Sequence, residues 1–235
     1  MKVSIIIPVY NEEKTIAQIL RRVFSAALPS NMTREVIVVN DASTDSTLKK
    51  IKNLKLKLRL ITHSVNRGKG AAVISGLAKS SGDIILIQDA DLEYNPKYYV
   101  SFLRPFTVSN AQVVYGSRLV NYPLQLFGQN KTPMPIHLIA NRLLTFLTNL
   151  LYGVSVTDME TGYKAVSAQL VRSLKLKSKR FDLEPEITAK ILKKGISIVE
   201  VPIKVKPRSY AQGKKIGWQD GLIAIWTLIK YRFVD

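Results

Sequence analysis

Short blocks of consecutive apolar residues recur through the first half of the chain, and the stretches between them carry apolar residues three or four apart. Val3 to Val9, Glu35 to Asn40, Arg59 to His63, Ile84 to Ile87 and Gln112 to Tyr115 are such blocks. Their length and Ile/Val content predict strands buried on both faces. Pro8 is expected to stop ladder pairing in the first of them. Thr15 to Phe24 and Ala71 to Lys79 have helical spacing, and Ala42 to Thr47 has the Ser/Thr/Asp chemistry of a turn and helix N-cap. From Lys55 to Leu60 cations alternate with leucine, which predicts a strand with one solvated face. Strand and helix taking turns predicts an α/β fold, a doubly wound, mostly parallel sheet flanked by helices.

Two later segments differ. Ile136, Ile139, Ala140, Leu143, Leu144, Leu147, Leu150 and Leu151 form one broad apolar stripe, and Trp218, Leu222, Ile225, Trp226, Ile229 and Phe233 another, the latter on a C-terminal amphipathic helix. Each stripe can pack on the sheet or on the other helix, or together they can form a groove at a membrane surface. The chain divides accordingly into residues 1–210, the catalytic domain, and 211–235, a basic, aromatic and amphipathic tail.

The strand ends carry the chemistry. In Gln88-Asp89-Ala90-Asp91 an apolar strand closes on two acids that point the same way from extended chain. Ligands bind beyond the carboxyl ends of strands in open α/β sheets. Two adjacent carboxylates call for a cation, and Mg²⁺ or Mn²⁺ shared with phosphates fits that donor set. Asp41 ends another strand, and Asn66-Arg67-Gly68-Lys69-Gly70 gives a backbone able to turn close to a ligand.

A formal charge of +18 in 235 residues requires anionic partners: nucleic acid, an anionic membrane or anionic substrates. No nucleic-acid motif is present, so nucleic acid is set aside. After Lys190 the cations are interleaved with Trp218, Trp226, Tyr231 and Phe233, a pattern suited to a membrane surface. There is no cysteine, which excludes disulfides and thiolate chemistry. The longest charge-free apolar stretch, Leu143 to Thr157, is too short and polar to span a bilayer. With no export signal visible, the expected location is cytoplasmic, peripheral on the cytoplasmic face of the membrane.

The ordered pieces Ile7-Pro8-Val9-Tyr10-Asn11-Glu12-Glu13, Val39-Asn40-Asp41-Ala42-Ser43-Thr44-Asp45, Asn66-Arg67-Gly68-Lys69-Gly70, Gln88 to Glu93, Tyr115-Gly116-Ser117-Arg118, Asp158 to Lys164 and the Glu184-Pro185-Glu186 region resemble the family 2 glycosyltransferases of the GT-A nucleotide-sugar-binding fold. Within them the chain is most similar to the dolichyl- or polyprenyl-phosphate hexosyltransferase branch. The resemblance implies a nucleoside pocket of Pro8, Tyr10, Glu12 and Asp41, with Lys69, Asp89 and Ala90 at the rest of the nucleotide. It implies a metal at Asp89 and Asp91, with Glu93 as a further ligand, and an acceptor phosphate at Arg118; a second cation for that phosphate is expected among the basic C-terminal residues Arg208, Lys214 and Lys215. Asp158 is implied close to the reacting centre. Many members carry membrane spans after the catalytic domain, and this chain, ending at Asp235, departs from them. A membrane-spanning partner protein is therefore among the expected partners.

Together these readings give metal-dependent, inverting transfer of mannose or glucose from a nucleotide-diphosphate sugar to a polyprenyl phosphate. An ionised phosphate needs positioning rather than deprotonation. The alternatives are a soluble transferase using a hydroxyl acceptor, for which Asp158 is the candidate base, and a non-catalytic nucleotide-binding module. His137 is expected to be structural.

Overall fold

A computed structural model describes residues 1–120, 135–205 and 217–234. Among these residues seven strands form one sheet in the order β3-β2-β1-β4-β6-β5-β7. They are β1 Lys2–Val9, β2 Thr33–Asn40, β3 Arg59–Thr62, β4 Ile84–Ile87, β5 Val113–Ser117, β6 Lys164–Ser167 and β7 Val199–Pro202. The four strands β3, β2, β1 and β4 are parallel neighbours, so their carboxyl ends share one edge. β6 runs antiparallel to both β4 and β5, so the segment leading into it starts from that same edge. The expected α/β fold is present, with helices α1 Ile16–Ser25 and α3 Lys69–Lys79 close to their expected bounds.

Both faces of the sheet are dry. Val3, Ile5, Ile7, Val36, Val38 and Leu86 pack with Ile16, Ile19, Leu20 and Phe102 on one side. Ile6, Ile37, Val39, Ile85 and Ile87 pack with Ala72, Val73, Leu183 and Ile187 on the other. Burial on both sides explains why these strands lack polar alternation. Gly76 of α3 lets the helix close on the sheet, since a Cβ there would lie 2.5 Å from Ile6.

Two local expectations are corrected. Pro8 does not end β1, which stays in register with β2 as far as Val9 opposite Asn40. It has no amide hydrogen to give on the β4 side, where pairing with β4 has already ended at Ile6. The Lys55–Leu60 alternation is not a strand over its length. Lys49 to Asn53 belong to helix α2 Thr47–Asn53, Lys55 takes a left-handed backbone (φ 49°), and ladder pairing begins at Arg59. Leu54, Leu56 and Leu58 still pack against the core, so the alternation reports burial without a ladder.

Helices α4 Tyr99–Val108, α5 Pro135–Tyr152, α6 Ala168–Ser173, α7 Leu183–Lys193 and α8 Trp218–Phe233 complete the chain. Leu144 of α5, Ala189 of α7, and Ala224, Leu228 and Tyr231 of α8 share a third core with Val156 and Met159. The stripes on α5 and α8 are split: Leu144, Leu147 and Leu151 of α5 and Ile225 of α8 pack into this core, and the rest turn outward. Ile136, Leu143, Phe146 and Leu150 of α5 are exposed while Thr145 and Thr148 are buried. On α8, Trp218, Leu222, Trp226 and Phe233 are exposed while Ala224 and Thr227 are buried. No helix of the described residues is long and apolar enough to cross a membrane.

Candidate active site

Local hydrogen bonds tie the strand-end loops into one floor. Asn11, just past β1, adopts φ 52° and exchanges hydrogen bonds with Ser43 and Thr44 beyond β2. The Glu12 amide donates to the buried Thr47 hydroxyl, 2.9 Å away. Asp41 is buried, and its carboxylate accepts from the amides of Arg67 (2.9 Å) and Gly68 (2.7 Å) and meets His63 Nδ1 at 2.6 Å. His63 Nε2 in turn lies 2.9 Å from Ser75 Oγ. Asp41 therefore fixes the turn into α3 as well as facing the cavity. At Gly68 (φ 90°) a Cβ would lie 2.4 Å from the Lys179 carbonyl, so the turn needs glycine for both torsion and space.

β4 delivers Asp89, Ala90 and Asp91 beside this floor. Buried Gln88 anchors the loop through the Tyr94 carbonyl (3.0 Å) and the Tyr99 hydroxyl (3.0 Å). Asp91 caps its own turn by accepting from the Glu93 amide at 3.0 Å. Lys69 Nζ lies 2.8 Å from Asp89 and 2.8 Å from Glu184 of α7. Burial alone would lower the Lys69 pKa, but these two carboxylates outweigh it and hold the ammonium well above its ordinary range. The other Asp89 oxygen looks onto Gly162, where a Cβ would sit 2.6 Å away. The Tyr94 hydroxyl accepts from the Gly162 amide at 3.0 Å, and burial pushes it up to about 12.

On the far wall Arg118, just after β5, grips Asp158. Its Nε and Nη2 donate to the two carboxylate oxygens at 2.7 Å each, and its amide donates at 2.8 Å. Asp158 is fully buried, whereas Arg118 keeps 18% of its side-chain surface. Burial disfavours the guanidinium charge, but Asp158 more than offsets it and raises the Arg118 pKa well above the ordinary value. Behind this pair Lys164 is buried, donates to the Met159 carbonyl at 2.8 Å and lies 3.7 Å above the Tyr115 ring. Burial brings Lys164 down to about 7. Burial and then the Glu184 charge push Glu160 up to about 7.

A cavity of about 720 Å³ collects these groups. Pro8, Tyr10, Glu12, Asp41, Lys69, Asp89, Ala90, Asp91, Glu93 and Arg118, all nominated from the sequence, line it. Asp158 stands behind Arg118, outside the lining. Arg208, Lys214 and Lys215 fall outside the described residues. His137 lines the cavity with Ile136 and Leu144 of α5 and Trp218 of α8. The sequence reading gave no role to His63, Tyr94, Glu160 or Arg180. The signal for Glu160 was present, as an acid within Asp158-Met159-Glu160-Thr161-Gly162.

Divalent metal chemistry fits the donor set. Asp89 and Asp91 offer hard carboxylate oxygens to one cavity, and Gly162 keeps space open against Asp89. Among the described residues no three His, Cys, Asp or Glu side chains form a metal cage.

The signature of Glycosyl transferase family 2 matches residues 4–174, and the chain belongs to that family of glycosyltransferases. It is 30% identical to a UDP-N-acetylglucosamine–dolichyl-phosphate N-acetylglucosaminyltransferase of Methanococcus voltae, over 97% of this chain and 94% of that protein. It is 28% identical to a dolichol-phosphate mannosyltransferase of Pyrococcus furiosus, over 92% of this chain and 61% of that longer protein. In fold it is similar to glucosyl-3-phosphoglycerate synthase of Mycobacterium tuberculosis, solved with Mn²⁺, UDP and glucosyl-3-phosphoglycerate. The TM-score is 0.73 at 20% identity, over all of this chain and 81% of that one. The same synthase has been solved with Mg²⁺ and UDP. These likenesses establish the GT-A architecture and a sugar-transferring enzyme.

Proposed function

With membership of glycosyltransferase family 2 as the premise, we propose that the protein transfers a hexose from a nucleotide-diphosphate sugar to a polyprenyl phosphate at an anionic membrane surface. The observation that carries this reading is one cavity with two kinds of wall. Asp41, Lys69, Asp89 and Asp91 line it together with Ile136, Leu144 and Trp218, which belong to two helices that also turn a set of large apolar residues outward. Beside buried Leu144 and Leu228, these helices bury Thr145, Thr148 and Thr227 while exposing Leu143, Phe146, Leu150, Trp226 and Phe233, more apolar surface than a fully solvated helix face carries. An exposed apolar face of that extent marks an interaction surface. The +18 charge makes an anionic bilayer its natural partner.

The bond from the anomeric carbon to the donor diphosphate breaks as one from that carbon to an acceptor phosphate oxygen forms. The nucleoside diphosphate leaves, and the family resemblance implies inversion. Asp89 and Asp91 would hold Mg²⁺ or Mn²⁺, which when bound supplies stabilisation of charge on the departing diphosphate. Pro8, Tyr10, Glu12, Asp41 and Ala90 are assigned to the nucleotide. Lys69 adds a fixed positive charge beside Asp89. Arg118 is the phosphate-orienting group of the acceptor side, held by Asp158. An ionised phosphate carries no proton to remove, so a carboxylate fixed in an ion pair is compatible with the reaction.

The test is transfer from a panel of nucleotide hexoses with Mg²⁺ or Mn²⁺ to a short-chain polyprenyl phosphate and to hydroxyl acceptors. Co-sedimentation with phosphatidylserine vesicles is measured alongside, with and without high salt. Transfer to the lipid phosphate is expected, together with vesicle binding that Trp226→Ser weakens. Transfer to hydroxyl acceptors alone, with no vesicle binding, would overturn the reading.

A further inference from the structure

We propose that Glu160 is a sugar-selecting residue, its carboxyl forming a hydrogen bond with a hydroxyl of the hexose being transferred. The inference rests on the donor and acceptor roles proposed above. Glu160 lines the cavity, and its Oε1 is shielded from solvent without a hydrogen-bond partner among the described residues. A buried oxygen left unpaired costs about 1–3 kcal/mol, so an orphan on a cavity wall points to a group that arrives with the ligand.

Its surroundings narrow the choice of that group. The electrostatic neighbours of Glu160 include Glu184, which shares Lys69 with Asp89, and Arg118, which grips Asp158. The first set belongs to the diphosphate end and the second to the acceptor end. The sugar ring must lie between diphosphate and acceptor for displacement at its anomeric carbon. Ionised phosphates bring only acceptors, and a polyprenyl chain brings no polar group. A hydroxyl both donates and accepts, so it satisfies Glu160 whether the carboxyl is ionised or protonated. Burial keeps that carboxyl close to both states at neutral pH. Arg118 and Lys69 are already engaged by carboxylates, whereas Glu160 carries an oxygen with no partner among the described residues.

The experiment measures binding of the nucleoside diphosphate, the nucleotide hexose and its monodeoxy analogues by calorimetry with Mg²⁺. Wild type is compared with Glu160→Ala and Glu160→Gln. Should Glu160→Ala fail to fold, Glu160→Met, similar in volume and without the oxygens, replaces it. The variants are expected to bind the nucleoside diphosphate as wild type does. Glu160→Ala should bind the nucleotide hexose about 10- to 150-fold more weakly, the range of a charged hydrogen bond. Glu160→Gln, which keeps an acceptor, should recover part of that loss. One deoxy position disfavoured by wild type should be disfavoured no longer by Glu160→Ala, since the two changes remove the same contact. Discrimination intact at every position would overturn the inference. So would a parallel loss of nucleoside diphosphate binding, which marks a structural role, or a fall in kcat with binding intact, which marks proton transfer. A wild type that binds no nucleotide hexose would instead sink the proposed function, and the inference with it.

Discussion

Replacing Asp158 by Asn isolates the grip on Arg118. The side chain keeps its shape but gives up the charge, and one of the two oxygens facing the guanidinium becomes an amide that donates instead of accepting. Three contacts of 2.7–2.8 Å converge on this carboxylate, two from the Arg118 side chain and one from its amide. Removing one partner of a buried ion pair costs about 3–5 kcal/mol. Arg118 retains 18% exposure toward the cavity, so water can meet part of its lost valence. The expected loss is therefore about 2–3 kcal/mol, or a Tm lower by about 4–12 °C for a domain of this size. Calorimetric melting of Asp158→Asn, Arg118→Ala and the double variant checks it. The double variant should lose about 0.5–3 kcal/mol less than the two single losses combined, because both remove one interaction. In turnover, Asp158→Asn should raise the acceptor KM by loosening Arg118 and leave the acidic limb of the pH dependence of kcat in place. Additive losses with an unchanged acceptor KM would refute the pairing. Loss of the acidic limb with KM intact would make Asp158 a base.

Asp91→Asn should leave the circular dichroism spectrum and Tm near wild type and lower transfer by several orders of magnitude; near-normal turnover would remove Asp91 from the metal. Gly162→Ala places a methyl group 2.6 Å from Asp89 and 3.2 Å from Lys69, so Mn²⁺-dependent binding of nucleoside diphosphate should weaken, and unchanged titration calorimetry would refute that reading. The Glu160 carboxyl titrates at about 7 in the fold against 4.5 ordinarily, so the folded state holds the proton longer and loses stability as pH rises from about 4.5 to 7. Glu160→Gln removes that loss and should gain in Tm relative to wild type across this window, the difference staying level above it. A difference independent of pH would show that Glu160 ionises in the fold as it does in the open chain.

Much of the site was legible because local chemistry wrote it. Apolar blocks ending in Asp41 and in Asp89-Ala90-Asp91 fix both the strands and the edge where acids gather, since parallel neighbours send their carboxyl ends the same way. The glycines of Asn66 to Gly70 mark a turn whose torsion and tight approach other residues resist. Those inferences need only the neighbours along the chain.

What stayed hidden depends on partners far away in sequence. Arg118 and Asp158 were both nominated, yet their union across 40 residues makes one the other's support. The acids at 160 and 184 acquire meaning only when β6 lies beside β4 and α7 brings Glu184 to Lys69, and the His63 link to Asp41 only when β3 pairs with β2. The Lys–Leu alternation after α2 told which residues are buried but not whether a ladder forms, because burial and pairing are separate contacts. The stripes of α5 and α8 make the same point most sharply. Periodicity divides a helix into two faces, but which one meets protein is set by the surfaces that fold against it. Here the inner neighbours accept Leu144, Leu228 and Tyr231 together with Thr145, Thr148, Ala224 and Thr227, and leave Leu143, Phe146, Leu150, Trp226 and Phe233 outside.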